Sequence, residues 1–214
     1  VGKRVAQHQA VIDAAKKNGA KLLAYTSMLH AETTKMKLAA EHQATEKAIR
    51  ASGVPFTFLR NGWYTENYTA RLAPVLAEGV LYSATKGAAV GAAARADYAA
   101  AAVAVLTGSG HENRVYELAG VPGFTLAEYA AELSRLTGKS VAYTELSAAA
   151  LEEKLVPAVA AHGAPAAFAA VMADCDVGIS RGELADSSGD LARLIGRPVT
   201  PWRETLAAAV RALG

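Results

Sequence analysis

Residues 55–68 read Pro55-Phe-Thr-Phe-Leu-Arg-Asn-Gly-Trp-Tyr-Thr-Glu-Asn-Tyr68, and the fold is decided there. Phe56, Thr57, Phe58 and Leu59 make an apolar, β-branched and aromatic run of the kind that fills a buried strand. The run is expected to stop at Arg60-Asn61-Gly62, where the residues become polar and turn-forming. Trp63, Tyr64, Asn67 and Tyr68 follow at once, crowding rings and amides into a few positions. Two readings are open: a ligand surface at a strand end, or aromatics packed beneath a neighbouring helix.

Working outward from this stretch, the order is helix, strand, helix, strand. Val5, Ile12 and Ala15, with Val11 and Ala14 alongside, fall on one face of a helix that ends at Lys16-Lys17-Asn18-Gly19, where cations and a glycine suit a C-terminus. Lys21–Ser27 is a short apolar run suited to a strand covered on both faces. Met28–Lys37 reads as loop, and Leu38–Ala51 returns to helical composition before Ser52-Gly53. Strands separated by crossovers of this length predict βαβ units in a doubly wound parallel sheet. Ligands bind beyond the carboxyl ends of such strands, so Ser27 and Asn61 are expected to face one crevice.

Downstream, a helical segment closes at Glu78-Gly79, Val80–Tyr82 is a short strand, and Arg95-Ala96-Asp97-Tyr98 introduces an alanine-rich helix that ends near Thr107-Gly108, with Asp97 as its expected N-cap. Arg114–Gly120 and Val141–Leu146 are strand candidates. Thr125-Leu-Ala-Glu128 is a capping-box pattern that opens a helix ending at Gly138. Residues 147–214 read as helices broken at Gly163-Ala164-Pro165, Ser187-Ser188-Gly189 and Gly196-Arg197-Pro198.

Composition excludes several function classes. The 214 residues carry a net charge of +2 with scattered Lys and Arg, so the basic stripe of a nucleic-acid binder is missing. No apolar run approaches the roughly 18 residues that span a bilayer. The lone Cys175 forms no intrachain disulfide and fits a reducing cytoplasm. His8, His111 and His162 have no companions at ligand spacing, and no metal site is expected. Ser27 lacks the elbow glycines of a hydrolase nucleophile. On the second helix, Lys47 shares a face with Gln43, one turn earlier. A lysine so placed can hold a ribose hydroxyl or lower a neighbour's pKa, or it is simply exposed. His42 and His30 flank the same region and suit proton transfer near neutral pH.

Ala24–His30, Glu41–Lys47, Phe58–Tyr68, Ala94–Ala99 and Val115–Gly120, continued by Ala173–Gly178 and Leu194–Pro198, closely resemble the NADPH-dependent quinone oxidoreductases of type 2. These are NmrA-like atypical short-chain dehydrogenases, and the resemblance covers essentially the whole chain. It implies an α/β fold, with residues 1–120 as the remainder of a Rossmann domain and 121–214 as a smaller, mostly helical substrate-side domain. Residues 73–92 are open to either. Members of the family begin with a strand and a glycine-rich turn for the NADPH pyrophosphate. No such turn occurs in this sequence, and the chain is expected to lie inside a longer one, with about 70 residues missing if each βα unit takes about 30.

The resemblance also implies the site. Leu59, Arg60, Asn61, Gly62 and Trp63 border the nicotinamide, Ser27 and Lys47 complete the cofactor side, and Tyr64, Asn67 and Tyr68 flank a flat quinone. Gln43 stands where typical short-chain dehydrogenases have a catalytic Tyr, so Lys47 carries over as cofactor contact while the phenolic acid does not. The proton then comes from water or a nearby histidine, His42. Homo-oligomer formation is left open. The rival reading is an NmrA-like redox sensor that binds dinucleotide and passes its state to a partner protein without turnover.

Overall fold

The computed structural model describes residues 4–161 and 163–213. His162 and the first three residues lie outside them. The opening stretch forms β2 (Phe56–Asn61), and all six of its positions are buried. That follows from its place at the centre of a parallel sheet, between β1 (Leu23–Met28) on one side and β4 (Arg114–Leu118) on the other. A strand paired on both edges and covered on both faces has no solvent side to alternate with. Ser27 stands opposite Arg60 and Met28 opposite Asn61, so the two polar strand ends share one edge of the sheet.

β2 does not stop at Leu59. It continues through Arg60 and Asn61, and the buried Arg60 is accommodated because carboxylates from three other segments meet its guanidinium. Nε and Nη2 donate to the two oxygens of Glu46 at 2.9 and 2.6 Å, Nη1 donates to Glu117 at 2.8 Å, and Nη2 also reaches Glu32 at 2.9 Å. A buried guanidinium needs this degree of pairing.

Around the sheet, α1 (Arg4–Lys17) and α2 (Ala39–Ser52) pack together. The apolar face expected of α1 is not buried. Ile12 joins Ile49, Phe56 and Phe58 in a core cluster, but Val5 and Val11 are 38% and 58% exposed. Polar contacts do the remaining docking: His8 Nδ1 meets Thr45 Oγ1 at 2.9 Å, and Arg4 approaches Glu41 at 3.7 Å.

Between β2 and β4 the chain forms α3 (Glu66–Thr69), α4 (Leu72–Glu78), β3 (Val80–Ser83) and α5 (Arg95–Thr107). Asp97 is not the N-cap of α5; Ala94 occupies that position without a side-chain bond. The fully buried Asp97 carboxylate instead accepts from Arg197 Nη2 at 2.5 Å and Thr200 N at 2.8 Å, tying the C-terminal segment to α5. The free N–H of Arg95 is met by Glu66 at 2.9 Å.

A second, two-stranded parallel sheet pairs β3 with β5 (Ala142–Glu145). α6 (Leu126–Thr137) opens with the expected capping box, Glu128 N donating to Thr125 Oγ1 at 3.1 Å and Thr125 N to Glu128 at 2.8 Å. α7 (Ala148–Ala161) and α8 (Ala167–Ser180) form an adjacent pair, α9 (Asp190–Ile195) returns to pack on α5 and β4, and α10 (Trp202–Arg211) lies on α6. No described helix is long and apolar enough to cross a membrane.

Candidate active site

Two cavities meet at the carboxyl ends of β1 and β2. A cleft of about 350 Å³ is lined by Ser27, His42, Asn61, Gly62, Trp63 and Tyr64 among others. Beside it lies a mostly apolar pocket of about 450 Å³, to which α8 contributes Phe168, Met172 and Cys175. Leu38, Trp63, Tyr64 and Asn67 belong to both walls.

The strand end is held rigidly. Gly62 N donates to Leu118 O at 2.7 Å, and a Cβ on Gly62 would lie 3.0 Å from that oxygen and 3.2 Å from both Gly91 O and Tyr98 Oη. A side chain here would have to push these atoms back by a few tenths of an ångström, so the close backbone approach favours glycine. Trp63 O is fixed by Tyr98 Oη at 3.2 Å and Ala93 N at 3.0 Å. Tyr64 packs edge-on against Tyr98, and the Arg95 guanidinium lies 4.4 Å over its ring.

Of the five buried side-chain polar atoms without partners among the described residues, two line this cleft. Ser27 Oγ and Asn61 Oδ1 are buried and accept or donate no hydrogen bond in the protein, although Asn61 Nδ2 reaches Tyr64 Oη at 3.3 Å. Buried polar atoms are nearly always satisfied, so two orphans on one cleft mark where a ligand's donors belong.

His42 sits at the cleft's outer end. Arginine only donates, so Arg4 Nη1 at 3.3 Å assigns Nε2 as acceptor and puts the ring proton on Nδ1, which faces Tyr25 Oη at 2.8 Å. Burial, with Arg4 beside it, pushes the His42 pKa from 6.5 down to about 4. At neutral pH the ring is uncharged. His8, expected to stand alone, joins this group through Thr45 and an edge-on contact with Tyr25.

Five residues expected at or beside the site are not brought to the cleft. Lys47 is exposed, because α2 turns Thr45, Glu46 and Ile49 inward and positions 42 and 47 are about 140° apart around a helix. Leu59 is buried in a core cluster with Tyr98 and Leu118. Arg60 is spent on its carboxylates. Tyr68 packs against Phe124 and Tyr129 and lines a small cavity of about 30 Å³ behind the pocket, where burial pushes its phenol pKa well up. His30 also points away, its Nε2 meeting Ala185 O at 3.0 Å.

Sequence reasoning missed the α8 wall. Phe168, Met172 and Cys175 fall at i, i+4 and i+7, one helical face, so the signal was present in the spacing. The Cys175 thiol is pushed up to about 12 by burial and by Asp174 and Asp176.

Residues 2–109 match the family model described as NAD(P)H-binding. Quinone oxidoreductase 2 of Escherichia coli is 47% identical over 206 residues, covering 96% of this chain and 71% of that protein. The crystal structure of the NADPH-dependent quinone oxidoreductase of E. coli complexed with NADPH superposes with a TM-score of 0.91 at 46% identity, over 98% of this chain and 73% of the other. A triphenylmethane reductase from Citrobacter, complexed with NADP(H), does so with a TM-score of 0.86 at 37% identity, over 96% and 71%.

Proposed function

The chain belongs to the NAD(P)H-binding family and, within it, to the NmrA-like quinone oxidoreductases of type 2, and from that premise we propose that it reduces quinones with NADPH at the paired cavities. The observation that carries the reading is the pair of orphaned acceptors, Ser27 Oγ and Asn61 Oδ1, on a cleft that adjoins an apolar pocket. These residues fit the nicotinamide end of the cofactor, whose carboxamide and ribose hydroxyls bring the donors they lack. When bound there, NADPH supplies a hydride.

The protein's own part is positional. Ser27 and Asn61 hold polar groups on one side, the backbone from Gly62 to Trp63 sets a wall pinned by hydrogen bonds to Leu118, Ala93 and Tyr98, and Tyr64 and Asn67 border the acceptor. The aliphatic and aromatic lining of the larger pocket keeps water from a flat ring. Orienting two reactants in this way accounts for much of a hydride-transfer acceleration. Neutral His42 holds its proton on Nδ1 and has no imidazolium to donate near pH 7, so the product's proton is assigned to water.

On this reading residues up to 120 form the cofactor side and residues 121–214 the acceptor side. The stretch 73–92 goes with the acceptor side, a division supported by the pairing of β3 with β5. The reaction is placed in a reducing cytoplasm, which suits the free Cys175. The sensor reading has no feature of the site in its favour. NADPH oxidation with a simple benzoquinone is the direct test: turnover that depends on both partners is expected, and NADPH binding without turnover would return the sensor to first place.

A further inference from the structure

Among the described residues, every lysine and arginine whose side chain has no hydrogen bond, ion pair or ring stack is exposed, with the exception of Arg71. Arg71 is half-buried just before α4 and lines both the apolar pocket and the small cavity behind it. The other charged groups on the pocket are engaged. Glu66 accepts from the Arg95 backbone N–H at 2.9 and 3.1 Å, and Arg95 stacks on Tyr64 while donating to Asn67 Oδ1 at 3.2 Å. Asp176, across the cavity on α8, accepts from Ala84 N at 2.9 Å and is felt by Arg71 without an ion pair between them. An apolar pocket therefore opens onto a cation whose planar fork of donors is unspent.

A guanidinium drawn partly out of water without a partner is unfavourable, and a carboxylate or aryloxide oxygen would satisfy it with charge-assisted bonds. We propose that Arg71 makes this pocket selective for aromatic acceptors that carry an anionic oxygen, such as an ionised hydroxyquinone or a quinone carboxylate, with the ring in the apolar pocket and the charge on the guanidinium. The proposal rests on the quinone reductase reading. In the reaction the two quinone C=O groups become C–OH by taking one hydride from NADPH and one proton from water. The nicotinamide is oxidised. A carboxylate substituent keeps its charge, so its pairing with Arg71 lasts through turnover, whereas an ionised hydroxyl takes a further proton from water once the conjugated carbonyl that acidified it is reduced, and its pairing ends with the product.

The test compares the protein with Arg71→Gln, Arg71→Lys and Arg95→Gln, using lawsone, a hydroxynaphthoquinone that is anionic near neutral pH, and menadione, its neutral methyl counterpart. Dissociation constants from tryptophan quenching and kcat/KM are measured for each. Arg71→Gln is expected to weaken lawsone binding about tenfold, the scale of one lost charge-assisted contact. Menadione binding should stay within about twofold, and Arg71→Lys should recover part of the loss. Equal loss for both quinones, no change for either, or a lawsone-specific loss in Arg95→Gln instead would overturn the assignment. Charge-selective binding without turnover of either quinone would uphold Arg71 and sink the reductase reading, whereas turnover of both without charge preference would do the reverse. Failure of both quinones to bind would remove both.

Discussion

At the scale of single residues, the cleft is defined by what Ser27 and Asn61 leave undone. Ser27 Oγ makes no bond in the protein, so Ser27→Ala removes no intramolecular hydrogen bond and is expected to leave the melting temperature of the free protein unchanged or slightly raised. The same substitution should weaken NADPH binding about 3- to 10-fold, the net value of one hydrogen bond. Calorimetry of the free protein together with NADPH titration checks both halves. His42 makes a second prediction. Its folded pKa, about 4, lies below the ordinary 6.5, so between those values the unfolded chain binds the extra proton and stability falls as pH drops from about 6.5 to about 4. The full effect is roughly 3 kcal/mol by the size of the shift. His42→Gln should therefore lose less stability than the wild type between pH 7 and pH 4 in urea unfolding; equal loss would show that the ring titrates normally. The place of Ser27 and Asn61 at one edge of the sheet was legible in the sequence because both end apolar runs that had to be parallel strands. The outward side of α2 that Lys47 occupies was not, since residue type and one-turn spacing leave open which side of α2 meets the sheet.

At the scale of elements, β2 shows how a charged residue extends a strand. Arg60 reads locally as a strand stop, and it is a strand residue because Glu46 on α2, Glu117 on β4 and Glu32 in the intervening loop converge on it. None of these partners lies within 13 positions of Arg60, so no window around it could show them. Arg60→Met should cost about 3–5 kcal/mol in denaturant unfolding, because it takes both charge-assisted hydrogen bonds from the buried Glu46 carboxylate and leaves it only the longer pairing with Arg50 at 4.0 Å, and adding Glu46→Leu should recover much of that loss. A double variant no more stable than Arg60→Met alone would contradict this account. The capping box of α6 lies at the other extreme. Its donors and acceptors sit within four consecutive residues, Thr125 to Glu128, so the sequence could show the whole device.

At the scale of the whole molecule, the reaction chamber is assembled from segments about 100 residues apart, the end of β2 and the face of α8. The parallel sheet was legible because each βα unit carries its own pattern. The chamber was not, because nothing in Phe168, Met172 or Cys175 says that their helix face closes against Trp63 and Tyr64. That closure has a chemical consequence. Quinones are electrophiles that arylate thiolates, and Cys175 stands on the wall of the cavity proposed to receive them. With its pKa pushed up to about 12, only on the order of one thiol in 10⁵ is ionised at pH 7. Native protein incubated with excess benzoquinone should show no adduct on Cys175 by mass spectrometry, and protein in urea should be arylated there. The buried, acid-flanked sulfur thus lets a catalyst handle a thiol-reactive substrate without consuming itself.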